Sequence, residues 1–190
     1  DAVREGRMSP QLYGYLPVPD APRLIQNAKA SSSSHTNSLI GICTRVAEIM
    51  EDGRRYVLGP GTTTSAIGAC LDLETTLVGV DVLQQGRTIA LDASEAELLE
   101  AVDGHPSAIV VSLIGGQGFV LGRGNPQISP AVIDKVGEEN LIVVATREKL
   151  MAITGPLRVD TGSVRCDRAL SGYRRVITGM GEDSVWKVEL

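Results

Sequence analysis

The chain has 190 residues, 43% of them hydrophobic, 22% charged and 3% aromatic, and its 18 Lys and Arg against 23 Asp and Glu give a net charge of −5. That balance excludes a disordered chain, a collagen-like repeat and a disulfide scaffold, and the length suits one medium globular domain with a core of its own. An acidic chain without a basic run lacks the footprint by which Lys and Arg neutralise a phosphodiester backbone, so no nucleic-acid partner is expected.

No stretch approaches the ~18–20 apolar residues that span a bilayer, and no charged segment precedes an apolar one at the start. The expectation is a soluble, cytoplasmic protein with no membrane partner. Cys43, Cys70 and Cys166 are odd in number and far apart, outside any metal-ligand spacing, which predicts reduced thiols and no metal residues. The chain opens on Asp1 without start-like character, which predicts a piece of something longer.

In chain order, residues 1–36 read as an extended arm or linker, rich in Pro, Gly and Tyr, with a short strand near Leu12–Leu16 and a polar SSSSHT spacer from Ser31. Pro17, Pro19 and Pro22 bar it from a central strand. Residues 37–190 read as the α/β domain. Leu39, Ile42, Cys43, Val46, Ile49 and Met50 recur with helical spacing, and Asp52-Gly53 closes that helix. Arg55–Leu58 is a strand that runs through a glycine turn into a helix at Ser65–Leu71. Thr76–Val82 and Arg87–Leu91 form a strand pair around Leu83-Gln84-Gln85-Gly86, and Ser94 with Glu97 is a capping box opening a helix at Glu95–Val102.

The alternation then repeats. Strand Ala108–Leu113 leads into a glycine-rich loop at Gly115–Asn125, and Ser129 with Pro130 starts a helix that Gly137 stops. Leu141–Ala145 is an uninterrupted apolar run, as a strand buried on both faces requires, and Thr146 caps a short helix to Ile153. Strand Leu157–Asp160, a short helix around Asp167–Leu170 and an alternating strand Ser184–Leu190 complete the chain. Strands separated by helices predict a Rossmann-like, mostly parallel sheet with helices on both faces.

Such folds gather ligands where strands end and helices begin, because the first turn of a helix carries unpaired N–H groups. Two loops have that character. In LGPGTTTSAIG, Gly59 and Gly61 admit an anion close to the backbone, and Thr62, Thr63, Thr64 and Ser65 add hydroxyls. In SLIGGQGFVLGRGNPQISP, Gly115, Gly116 and Gly118 precede the cation Arg123, with Asn125 beyond. A guanidinium matches two phosphate oxygens in a fixed fork, so Arg123 is the expected clamp.

Among the acids, Asp81 and Asp92 sit at strand ends and suit sugar hydroxyls, a metal or a base, and Asp160 after a later strand is a third candidate. His35 and His105 have no nucleophile or carboxylate at motif spacing, which gives a hydrolase triad no support. Trp186 and Phe119 are too isolated to stack bases.

Six segments together resemble the carboxy-terminal half of the ATP-NAD kinase-like family: LYGYL at Leu12, NAKASSSS at Asn27, LGPGTTTSAI at Leu58, GVDV at Gly79, IGGQGFVLGRGNPQISP at Ile114 and ENLIVVAT at Glu139. The resemblance implies phosphorylation of NAD or a related small molecule by ATP or polyphosphate, with Mg²⁺ accompanying the nucleotide. On that reading Gly61 to Thr64 bind a phosphate and Arg123 neutralises it. The family's GGDGT motif, which carries its base, occurs nowhere in the chain. The resemblance therefore implies a partner amino-terminal kinase domain and no turnover of NAD by this chain alone. A homo-oligomer is expected as well.

A second, fold-level similarity is to the phosphate-gripping loops of sugar-phosphate isomerases and sugar-phosphate sensor domains, in which Asp81 and Asp92 would be the acid and base. Arg123 stands there where a Lys would be expected. A third reading is a regulatory or assembly domain, with Tyr13 and Tyr15 of the arm in an interface.

Overall fold

The computed structural model describes residues 33–190, and their side chains from residue 36 onward. The expected strand at Leu12–Leu16, the three prolines and the two tyrosines lie outside the described residues. Fifteen elements follow: α1 (Ser33–Ile49), β1 (Arg55–Leu58), α2 (Thr62–Cys70), β2 (Asp81–Gln84), β3 (Arg87–Ala90), α3 (Glu95–Val102), β4 (Ser107–Ser112), β5 (Phe119–Leu121), α4 (Pro130–Val136), β6 (Leu141–Val144), α5 (Arg147–Met151), β7 (Leu157–Val159), α6 (Val164–Leu170), β8 (Gly172–Gly179) and β9 (Glu182–Glu189).

The strands form one mixed sheet in the order β3-β2-β1-β4-β6-β8-β9-β7-β5. Neighbours β1–β4, β4–β6, β6–β8, β9–β7 and β7–β5 run parallel. The hairpins β2–β3 and β8–β9 and the pair β1–β2 run antiparallel. β4 is the centre of the parallel part, and all six of its residues are buried. Alternation along the strands sorts the core into two layers. Val57, Ile109, Val111 and Val143 pack with Leu98 of α3, Val132 and Ile133 of α4 and Cys166 of α6. Tyr56, Leu58, Ala108, Val110 and Val144 pack on the opposite face with Ile42 and Val46 of α1 and Ile67 of α2. Each such aliphatic side chain removed from water contributes about 1.5–3 kcal/mol, so the two layers hold the helices on both faces as the alternating pattern predicts.

The expected helix starts are largely where the caps place them. Ser94 and Glu97 make the reciprocal capping box of α3. Ser129 accepts from the amide of Val132 ahead of Pro130, and Thr146 accepts from the amide of Lys149. Some boundaries differ. α1 begins at Ser33, inside the polar run read as a spacer, because serine costs a helix only a fraction of a kcal/mol and the apolar face of α1 outweighs it. α2 begins at Thr62 rather than Ser65. The first hairpin strand starts at Asp81 and not Thr76, and its turn is the pair Gln85-Gly86, both at positive φ, the geometry that matches strand twist.

Two strands went unread in the sequence. β5 lies within the expected loop of 115–125, and β8 precedes the last strand. β5 closes the far edge of the sheet and returns toward β4, where Ile114 bridges Phe119. Among the described residues no helix is long and apolar enough to cross a membrane.

Candidate functional site

The parallel registers Leu58↔Val110 and Ser112↔Val144 bring the carboxyl ends of β1, β4 and β6 to one edge of the sheet. From that edge the chain enters α2 after Gly61 and α5 after Thr146. Gly59 is clamped there by the hydrogen bond its amide donates to the Val110 carbonyl, 2.9 Å, and a Cβ on it would lie 3.0 Å from Val111 Cγ1. Gly61 is the N-cap of α2 at φ +126, a conformation glycine adopts without the Cβ penalty, and as a glycine it brings no capping side chain of its own. Thr64 donates its hydroxyl to the Gly61 carbonyl, 2.9 Å, and Gly61 in turn donates its amide to Leu77. Ser65 donates its amide to Gly61, closing the first helical turn.

The second glycine loop meets the same edge. After β4 the chain makes a 3-10 turn over Gly115–Gln117, and Gly118 leaves it in the left-handed conformation. A Cβ on Gly116 would meet nothing within 4 Å, whereas one on Gly124 would lie 2.9 Å from Ile114 Cγ2. The turn holding Arg123 therefore rests on the residue two past Ser112, so the loops singled out in the sequence converge on the end of β4.

Within the second loop the polar side chains have separate jobs. Arg123 donates Nε to Asp160 Oδ2 at 3.1 Å and stacks its guanidinium 4.6 Å from the Phe119 ring centroid. Both members of the ion pair are exposed, 59% and 50%, so the pair contributes little stability and leaves the cation accessible. Asn125 is 1% exposed; its Oδ1 accepts from the Gly122 amide, 2.9 Å, and its Nδ2 donates to the Val120 carbonyl, 3.0 Å. Its amide thus closes the loop from inside.

Asp81 is also turned inward. It is 1% exposed and accepts three hydrogen bonds, from the Thr76 amide at 2.7 Å, the Thr76 hydroxyl at 2.8 Å and the Asp92 amide at 3.0 Å. This carboxylate staples the segment before β2 to the end of β3. Asp92 itself follows β3 at φ +47. Asp160 belongs to the Arg123 pair, on the side of the loop away from Asp81's staple in the sheet order, at the end of β7.

Lys149, a residue that no motif pointed to, joins the elements at this edge. From α5 its Nζ donates to Thr63 Oγ1 at 2.9 Å, Ser112 Oγ at 3.0 Å and the Leu113 carbonyl at 3.5 Å. Its partners are 86 and 37 residues away in sequence, and a lysine in a short amphipathic helix carries no local sign of such a contact. Two concavities, of about 200 Å³ between α1 and β6–β8 and 410 Å³ at the opposite end of β4, lie away from these loops.

A family model described as the ATP-NAD kinase C-terminal domain matches residues 51–188, from just past α1 into β9. Among curated proteins and solved structures, none matches the chain.

Proposed function

The chain belongs to the ATP-NAD kinase C-terminal domain family, and from that premise we propose that it serves a small-molecule phosphotransferase by binding a phosphate-bearing ligand, NAD or a nucleotide, where the two glycine loops converge. The observation that carries this reading is the convergence itself: the glycine turn that starts α2 and the loop of Arg123 both abut the end of β4. In this proposal the turn at 59–65 meets a phosphate with backbone amides and hydroxyls, and Arg123 exchanges Asp160 for phosphate oxygens. Phosphoryl transfer depends chiefly on such positioning and charge.

ATP or polyphosphate remains the proposed donor. The Mg²⁺ that accompanies a nucleotide is given no ligands here, because among the described residues no group of three or more His, Cys, Asp or Glu could hold a metal. Asp81 is not the base of this proposal, since its carboxylate is already committed to three hydrogen bonds. The isomerase reading, which needs Asp81 as an acid or base, draws no support from that arrangement.

The test is a thermal-shift series on the chain with NAD, NADP, ATP, polyphosphate, ribose 5-phosphate and inorganic phosphate. A ligand at ~100 times its Kd adds about 2.7 kcal/mol, a rise of roughly 5–10 °C in a domain of this size. NAD or NADP should give that rise, and Arg123→Ala should weaken it while moving the ligand-free Tm by no more than roughly 3 °C. Selective stabilisation by ribose 5-phosphate would favour the sugar-phosphate reading, and silence with every compound would refute a ligand site in this domain.

A further inference from the structure

Lys149 is held in a way that helix stability does not explain. Its ammonium lies against Thr63, the second residue of α2, where the helix macrodipole is already positive. A cation there opposes the dipole and lowers helix stability, whereas it reinforces the attraction of the same turn for an anion.

The hydrogen-bond directions agree. A hydroxyl has one hydrogen and two lone pairs, and an ammonium can occupy only a lone pair. Accepting from Nζ therefore turns the hydrogens of Thr63 and Ser112 away from the lysine. These side chains are 0% and 2% exposed, and among the described residues neither hydroxyl donates to an acceptor. The anchor also reaches the turn from its side, and the N-cap Gly61 itself brings no side chain to it.

Resting on the kinase-domain reading above, we infer that Lys149 is a positioning residue for the ligand phosphate. It pins the start of α2 to the end of β4 through Thr63, Ser112 and the Leu113 carbonyl, and its charge adds to the field at that turn. The motif residues bind; Lys149 sets where they stand.

The experiment uses the whole chain and NADP as the probe, with Kd measured by titration calorimetry at several salt concentrations. Lys149→Met should weaken NADP by about tenfold, the value of one charge-assisted hydrogen bond lost. Its affinity should also fall less steeply with salt than that of the wild type, because one charge felt by the phosphate is gone. A lysine that only holds the fold would lower Tm and weaken NADP in parallel at every salt concentration. Lys149→Arg should keep the salt dependence and most of the affinity, and Thr63→Val should weaken NADP with the lysine intact. These two carry the test if Lys149→Met does not fold. A folded Lys149→Met that binds NADP within twofold of the wild type, with the same salt dependence, overturns the inference alone. A wild-type chain that binds none of NADP, NAD and ATP overturns the kinase-domain reading and the inference with it.

Discussion

Replacing Asn125 with alanine separates a loop staple from a ligand contact. Among the described residues β5 is the last strand of the sheet, and the Val120 carbonyl finds its partner in the Asn125 side chain. Asn125 also takes the amide of Gly122 at the other end of the same loop. Alanine abolishes both bonds at a site where only 1% of the residue is exposed, and water has little room to replace them. Each buried backbone group left without a partner costs about 1–3 kcal/mol. Allowing for partial relaxation, the loss is about 3 kcal/mol, or roughly 6–12 °C in Tm at 2–4 °C per kcal/mol. The assay is a far-ultraviolet circular dichroism melt of both proteins, with NADP affinity measured below the transition. A Tm within about 2 °C of the wild type, together with a large loss of affinity, would show that Asn125 contacts the ligand and that the loop does not depend on it.

Two further outcomes follow from particular contacts. Gly122 stands at φ +96 with an added Cβ only 1.7 Å from the Asp160 carbonyl oxygen, so Gly122→Ala must displace β5 from β7 and should cost upwards of about 3 kcal/mol; an unchanged urea midpoint would refute that close approach. Burial, reinforced by the neighbouring Cys70 thiol, pushes Cys43 up to about 12, and burial also raises Cys166, so both stay protonated at pH 8 while the exposed Cys70 reacts. Iodoacetamide at that pH should give one adduct by mass spectrometry, on Cys70, with a second and a third appearing only on unfolding; prompt labelling of Cys43 would contradict its packing between α1 and α2.

The parts of the fold that were legible in the sequence are those written locally. Ser94 with Glu97, Ser129 before Pro130, and the unbroken apolar run at 141–144 each specify an element within a few residues. The glycine turn before α2 was legible for the same reason, since Gly61 at positive φ leaves its mark in the sequence at the place where it acts. β5 was not, because three residues between glycines are too few to show a period. β8 was hidden by its own exposure: Tyr173 and Arg175 face solvent, and only its second half is buried. The roles of Asp81 and Lys149 depend on which segments the sheet brings together, Lys149 on partners in α2 and at the end of β4. The sequence places a carboxylate at a strand end without stating whether it points outward, and Asp81 points in.

The strand order carries a consequence for how the chain is made. Among the described strands β5 has β7 as its one neighbour, apart from the single Ile114–Phe119 bridge; β7 is bounded by β5 and β9, and β9 reaches the sheet through β8. On a ribosome, β1, β4 and α2 emerge early and have one another to pack against. The segment carrying Arg123 has no complete sheet to join until Glu189 has left the exit tunnel. One half of the candidate edge thus matures once β4 has emerged and the other only with β9, so a chain stalled short of β9 would present the α2 turn without its arginine loop fixed in place.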